Sequence, residues 1–169
     1  MNLKLFLAIL LFALGTLFSN GTEVEGRILN YGIFQKDMPS RITKTPETTS
    51  GVTKVASGQQ EIISITNRVP AKIGVCFGMT YELSNLTATN GTLIDVVKIV
   101  THPPITKPDG TVVRGFTFVE KAIVENGRAT NWTGYGFDHE YELAPGLWQF
   151  EMKYDGKTMV KQDFTVYKE

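Results

Sequence analysis

Cysteine is nearly absent from this chain. Cys76 stands alone in 169 residues, which excludes an intramolecular disulfide and any cysteine-based structural zinc site. Net charge is absent too: 17 Lys plus Arg balance 17 Asp plus Glu, with no block of one sign. That balance removes the electrostatic footprint of a nucleic-acid binder or a polybasic membrane-surface protein. Histidine is confined to His102 and His139, and neither stands in a metal-binding spacing such as His-x-x-x-His or His-Glu-x-x-His. The length fits one domain of roughly 150 residues and excludes a multidomain enzyme.

A long hydrophobic run is missing as well. The apolar segment Leu5 to Leu17 is shorter than the roughly 20 residues that span a bilayer of about 30 Å. Lys4 precedes it, and the small residues Ser19 and Gly21 follow at the positions a signal peptidase reads, so residues 1–21 are expected to be a secretory signal peptide. The mature domain is then 22–169, with no membrane span, and the location is periplasmic or secreted. Residues 1–21 contain Lys4 and no acid, so the remainder is nearly neutral.

From Thr22 onward the chain alternates apolar and polar residues, punctuated by Gly, Pro, Asn and Asp. Strands are expected over 27–34, 51–55, 60–66, 73–83, 92–100, 115–124, 132–137, 147–154 and 158–167. No mature segment carries a helical apolar repeat over three turns. This pattern predicts an all-β fold, an antiparallel two-sheet sandwich of the immunoglobulin or fibronectin kind, with a closed barrel as the alternative. The Thr/Ser-rich stretch from Lys36 to Ser50 reads as a long loop. In the last hairpin, a two-residue Asp155-Gly156 turn would set Phe150 against Lys161 on the core face. A three-residue bulged loop pairing Phe150 with Val160 is expected instead.

Candidate functional residues are few. Arg68, in Asn67-Arg68-Val69-Pro70-Ala71-Lys72-Ile73-Gly74, could grip an anion as a bidentate fork, or pair with a carboxylate of the sheet. Trp132 and Tyr135 could form an aromatic patch for a sugar or peptide, or simply pack. Asp138 and Glu140, with His139 between them, could perform acid–base chemistry. His102 and His139 are otherwise exposed loop histidines. No Gly-x-Ser-x-Gly elbow is present. Cys76, mid-strand beside Phe77, reads as a buried structural thiol inaccessible to reagents in the folded domain. Three Asn-x-Thr triplets, at Asn85, Asn90 and Asn131, fit the glycosylation pattern or read simply as turn residues.

Several spaced segments taken together carry a resemblance. These are Tyr31-Gly32-Ile33-Phe34, the Thr66 to Gly74 segment, Phe77-Gly78, Tyr81-Glu82-Leu83, Pro103-Pro104, Tyr135-Gly136-Phe137-Asp138, Glu142 to Phe150, Tyr154-Asp155-Gly156 and Phe164-Thr165-Val166. In this order they resemble the exported bacterial proteins of domain of unknown function family 3859, across nearly the whole mature chain. The resemblance implies a single exported β-sandwich and brings no activity, cofactor or catalytic residue with it.

Two functions follow as expectations. One is a non-catalytic module that binds a protein, peptide or glycan, with Arg68, Trp132, Tyr135 and Asp138 as binding candidates and with no cofactor, metal or nucleic acid. The other is a hydrolase using Asp138, His139 and Glu140. The enzyme needs a histidine within hydrogen-bond reach of a carboxylate in a concave pocket. The module needs an exposed patch or an open strand edge.

Overall fold

The structure, a computed structural model, describes residues 22–36, 40–56 and 60–168; the expected signal peptide lies outside them. Alternation in the sequence becomes alternation of burial. On one strand Phe77, Met79, Tyr81 and Leu83 are fully buried, while Cys76, Thr80 and Ser84 on the opposite face are half-exposed. Side chains on a strand point to opposite faces in turn, so one face of the sheet builds the core and the other meets solvent or a covering segment.

Eleven strands arise among the described residues. A four-stranded sheet holds β1 (Glu25–Phe34), β4 (Ile62–Ser64), β6 (Cys76–Ser84) and β9 (Ala129–Gly136) in the order β4-β1-β6-β9. A five-stranded sheet holds β5 (Arg68–Pro70), β7 (Leu93–Thr106), β8 (Val112–Ile123), β10 (Gly146–Tyr154) and β11 (Lys157–Tyr167) in the order β5-β11-β10-β7-β8. The two pack face to face. A separate hairpin pairs β2 (Ser40–Lys44) with β3 (Val52–Ala56). The one helical turn described is a short 3-10 segment, Glu140–Glu142.

All nine expected strands are present. The additions are β2, inside the stretch read as a loop, and β5, whose Pro70 lacks an N–H and is tolerated because it ends an edge strand. β5 runs parallel to β11, the exception to an otherwise antiparallel arrangement. The strand expected from Ile73 begins at Cys76.

Phe77 is the centre of the core. Its ring lies 5.2 to 6.5 Å from those of Phe164, Phe137, Trp148, Phe150 and Tyr135, drawn from both sheets. Edge-to-face aromatic pairs add about 0.5–1.5 kcal/mol each beyond the area they bury. Trp148 is fully buried, and its indole N–H donates to the Ala144 carbonyl at 2.9 Å.

The last hairpin corrects the expected turn. Tyr154 pairs with Lys157 across a two-residue turn in which Asp155 and Gly156 both have positive φ, 48° and 76°. That conformation matches the twist of the strands it joins. The extra residue sits farther along, at Met159: Lys153 faces Thr158 and Met152 faces Val160. Phe150 consequently lies opposite Gln162, neither Lys161 nor Val160. The bulge keeps lysine off the core face, as the apolar pattern demands, from a different position.

Candidate functional site

The sheets are unequal, and the site lies where they fail to cover each other. Both β8 and β9 are edge strands on the same flank of the sandwich. On the inner face of β8, Phe116, Phe118 and Glu120 remain half-exposed beyond the end of the four-stranded sheet. On the outer face of that sheet, register brings together three rows across β1, β6 and β9. They are Asn30, Thr80 and Trp132; Gly32, Gly78 and Gly134; and Phe34, Cys76 and Gly136.

The middle row has no side chains, and the packing requires this. A Cβ at Gly78 would fall 2.1 Å from the Thr133 carbonyl oxygen, and one at Gly134 would fall 2.4 Å from a ring carbon of Trp132. The indole lies over Gly134 and meets Phe34 edge-on at 5.6 Å. The β2–β3 hairpin, with Ser50, Thr53 and Lys54, forms the opposite wall. The result is a groove of about 810 Å³ that passes from this outer face around the β9 edge to β8.

Every charge that lines the groove has a salt-bridge partner, with Lys36 and Lys54 sharing one carboxylate. Asp138 takes Lys54 at 2.7 Å and Lys36 at 3.0 Å, which ties the hairpin to the sheet. Partial burial alone would raise the Asp138 pKa, but hydrogen bonds and charge from the two lysines outweigh it and hold the carboxyl below its usual range. Lys98, buried on the inner face of β7, donates to the Gly134 carbonyl at 2.7 Å and stands 3.5 Å from Glu120. Burial pulls its ammonium below the usual lysine range, opposed by the Glu120 charge. Lys121 pairs with Asp95.

Hydrogen bonding is less complete. Asn30 Oδ1, Gln60 Nε2, Glu120 Oε2 and Trp132 Nε1 are buried without a partner among the described residues, and all four residues line the groove. Buried polar atoms left unpaired cost roughly 1–3 kcal/mol each, and these four lie beneath the groove wall, with the Tyr81 hydroxyl a fifth elsewhere.

The candidates named from the sequence are divided by the fold. Trp132 and Asp138 line the groove. Tyr135 borders it but is largely core, donating its hydroxyl to Glu142 at 2.6 Å. Arg68 lies outside the groove, on β5, with its guanidinium 5.1 Å from the centre of the Tyr167 ring. His139 and Glu140 are exposed, and the His139 ring stacks on Tyr141 at 5.3 Å. His102 is buried against Trp148, with ring centres 4.6 Å apart. Its Nδ1–H donates to the Pro103 carbonyl at 2.7 Å, leaving Nε2 to accept from the Thr49 hydroxyl at 2.8 Å. Both ring nitrogens of His102 are therefore engaged by groups other than carboxylates, and this histidine anchors the hairpin.

Cys76 is half-buried on the groove floor, a correction to the inaccessible thiol expected from sequence. Burial pushes its pKa up to about 11 despite the nearby Lys98 charge. Glu142, which stands in no chemical motif of the sequence, is fully buried. Its carboxylate accepts from Tyr135 and from the backbone N–H groups of Asp138 and His139, both at 2.8 Å, in the manner of a capping residue reaching back over a helix start. The pattern Asp-His-Glu-Tyr-Glu reads as a solvated run, and only the Glu142 spacing from His139 hints at a cap.

Two packed sheets with an aromatic core place this chain among immunoglobulin-like all-β domains. An immunoglobulin-like protein from Pseudomonas aeruginosa has a similar structure, with a TM-score of 0.61 and 23% identity over 88% of this chain and 99% of that one. The chain belongs to the family described as "Domain of unknown function (DUF3859)", which matches residues 22–166. A DNA-bound alkylpurine DNA glycosylase from Pseudomonas fluorescens aligns at a TM-score of 0.39 and 14% identity, over 59% of this chain and 27% of that one, a likeness too weak to bear on function. No curated protein matches.

Proposed function

We propose that the protein is an exported, non-catalytic binding module whose ligand occupies the groove between the β2–β3 hairpin, β9 and β8. The observation that carries this reading is a groove whose wall presents the half-buried aromatic faces of Phe116, Phe118 and Trp132. A groove of about 810 Å³ falls in the range of roughly 300–1,000 Å³ typical of small-molecule sites. Export rests on the signal-like segment 1–21, and the family match beginning at residue 22 accords with cleavage after Gly21.

The hydrolase alternative receives no comparable support. Asp138 is held between two lysines, while His139 is stacked on Tyr141 in solvent. A general base needs its proton-abstracting atom free and directed at substrate.

Mass spectrometry of small molecules released on denaturing the natively purified protein tests the reading. Wild-type protein should release a compound that Trp132→Ala protein does not retain. Identical or empty release profiles from the two proteins overturn it.

A further inference from the structure

We infer that the outer face of the β7–β8 ribbon packs on the same face of a second copy of this chain, in a two-fold dimer whose axis runs along the strands. This surface needs no ligand, and it touches the groove only at the rim, where Val119 and Lys121 stand.

The outer face of the five-stranded sheet is divided in character. Across β10 and β11 its cross-strand pairs are Gln149 with Asp163, Glu151 with Lys161 and Lys153 with Thr158, the polar surface expected where an antiparallel sheet meets water. Across β7 and β8 the pairs are Leu93 with Ile123, Val97 with Val119 and Ile99 with Thr117. Leu93, Val119 and Ile123 are 60%, 47% and 46% exposed, and Val97 and Ile99 are half-exposed. On its other face β7 is apolar as well, with Ile94, Val96 and Val100 buried in the core. A strand apolar on both faces has the pattern of one that is covered on both. Scattered apolar residues on a surface need no explanation, whereas adjoining apolar rows mark an interaction site.

The charged pair set among these rows selects the occupant. Asp95 and Lys121 are register partners between the Leu93 and Val97 rows, joined by a salt bridge and each 59% exposed. An apolar or unrelated partner would desolvate this pair and give neither charge a new counterpart. A second copy supplies both. A two-fold axis lying in the interface, midway between β7 and β8 and parallel to them, sets β7 of each copy over β8 of the other at equal height. Each residue then faces the copy of its own cross-strand neighbour: Leu93 meets Ile123, Val97 meets Val119, and Asp95 meets Lys121 of the second copy, in a square of alternating charge. An in-plane axis across the strands at this row would instead set Asp95 on Asp95 and Lys121 on Lys121. Charge therefore fixes the direction of the axis, and the strands that result are near-parallel, as in aligned packing of two sheets. Edge-to-edge pairing of β8 is the other self-association open to this sheet. It is opposed by the irregularity between Val113 and Gly115 and by the Asn131 amide at the Lys121 carbonyl.

Sedimentation equilibrium of the natively purified protein tests the interface. Wild-type protein should be a dimer at micromolar concentration. Asp95→Lys and Lys121→Asp each set like charges against like across the axis, and each should raise the dimer dissociation constant at least about a hundredfold. Mixed in equal amounts, the two variants should associate with each other, because the lysines of one meet the aspartates of the other. Val97→Lys keeps the ion pair and should dissociate the dimer through the apolar row. Circular dichroism checks that every variant folds. A wild-type monomer at about 100 µM overturns the inference. So does a dimer that these variants leave intact, or a mixture of the two folded charge variants that stays monomeric.

Discussion

Lys98 donates to the Gly134 carbonyl at 2.7 Å, fastening the inner face of the five-stranded sheet to the edge strand of the other. A lysine this deeply buried is tolerable because Glu120 and two aromatic faces, Phe116 and Phe150 at 5.8 and 5.7 Å, surround its ammonium. The pair is therefore a unit. Glu120→Leu, which leaves the ammonium without its carboxylate, is expected to cost about 3 kcal/mol in urea denaturation. The double variant Lys98→Met/Glu120→Leu should recover most of that loss, because it removes both charges. A double variant no more stable than Glu120→Leu would contradict the pairing.

Gly134→Ala would deform the groove floor. The added Cβ would fall 2.4 Å from the Trp132 ring and 2.5 Å from the Phe77 carbonyl oxygen, so the indole must move and the β6 backbone must give. The expected cost is about 1–3 kcal/mol, the range for overpacking, with a changed Trp132 emission spectrum. An unchanged spectrum would mean that the indole does not rest on Gly134.

Cys76 should react slowly but measurably in the folded protein. Cys76 is half-buried on the groove floor, and burial pushes its pKa up to about 11. Since the thiolate is the nucleophile, alkylation by iodoacetamide at pH 8 should run about a hundredfold below an ordinary thiol and rise about tenfold per pH unit to pH 10. Complete protection until unfolding would place the thiol in the core instead.

The hairpin should loosen in acid, in two stages. Burial depresses the pKa of His102 below its ordinary 6.5 against an opposing bond to Pro103, so the folded state holds the neutral ring and the unfolded chain takes up the proton first. Stability is full above about pH 6.5 and falls as pH drops through the lower folded value. Asp138 acts lower. Its depressed pKa gives stability that is present above the ordinary carboxylate value near 3.8 and lost as pH falls through the folded one. The hydrogen-exchange protection factors of β2 and β3 amides, corrected for the intrinsic rate at each pH, should therefore fall below about pH 6.5 and again below about pH 4. His102→Gln should abolish the first step, and persistence of that step would assign it elsewhere.

The sandwich was legible because its strands alternate in long runs, as along Phe77 to Leu83. β2 was not, because Ser40 to Lys44 sits among Thr, Ser and Pro in a stretch whose composition signals a loop. In the last hairpin the apolar pattern identified the need for one extra residue and could not locate it: a turn and a strand bulge satisfy the same alternation. Trp132 and Asp138 drew notice as chemistry-bearing residues near turns. The groove they line was invisible, since it depends on Gly32, Gly78 and Gly134 meeting in register from three distant strands. Arg68 reads as an anion-gripping fork in its Asn67–Gly74 segment, and the fold sets it at the opposite edge, on β5.

The most direct test of the groove as the binding site is backbone-amide NMR of the protein, titrated with the small-molecule fraction released from its native preparation. The account predicts shift changes concentrated in β8, β9 and the β2–β3 hairpin, including Trp132 Nε1–H. Changes centred instead on Arg68 and Tyr167, or on the outer face of β7 around Leu93 and Val97, would contradict it.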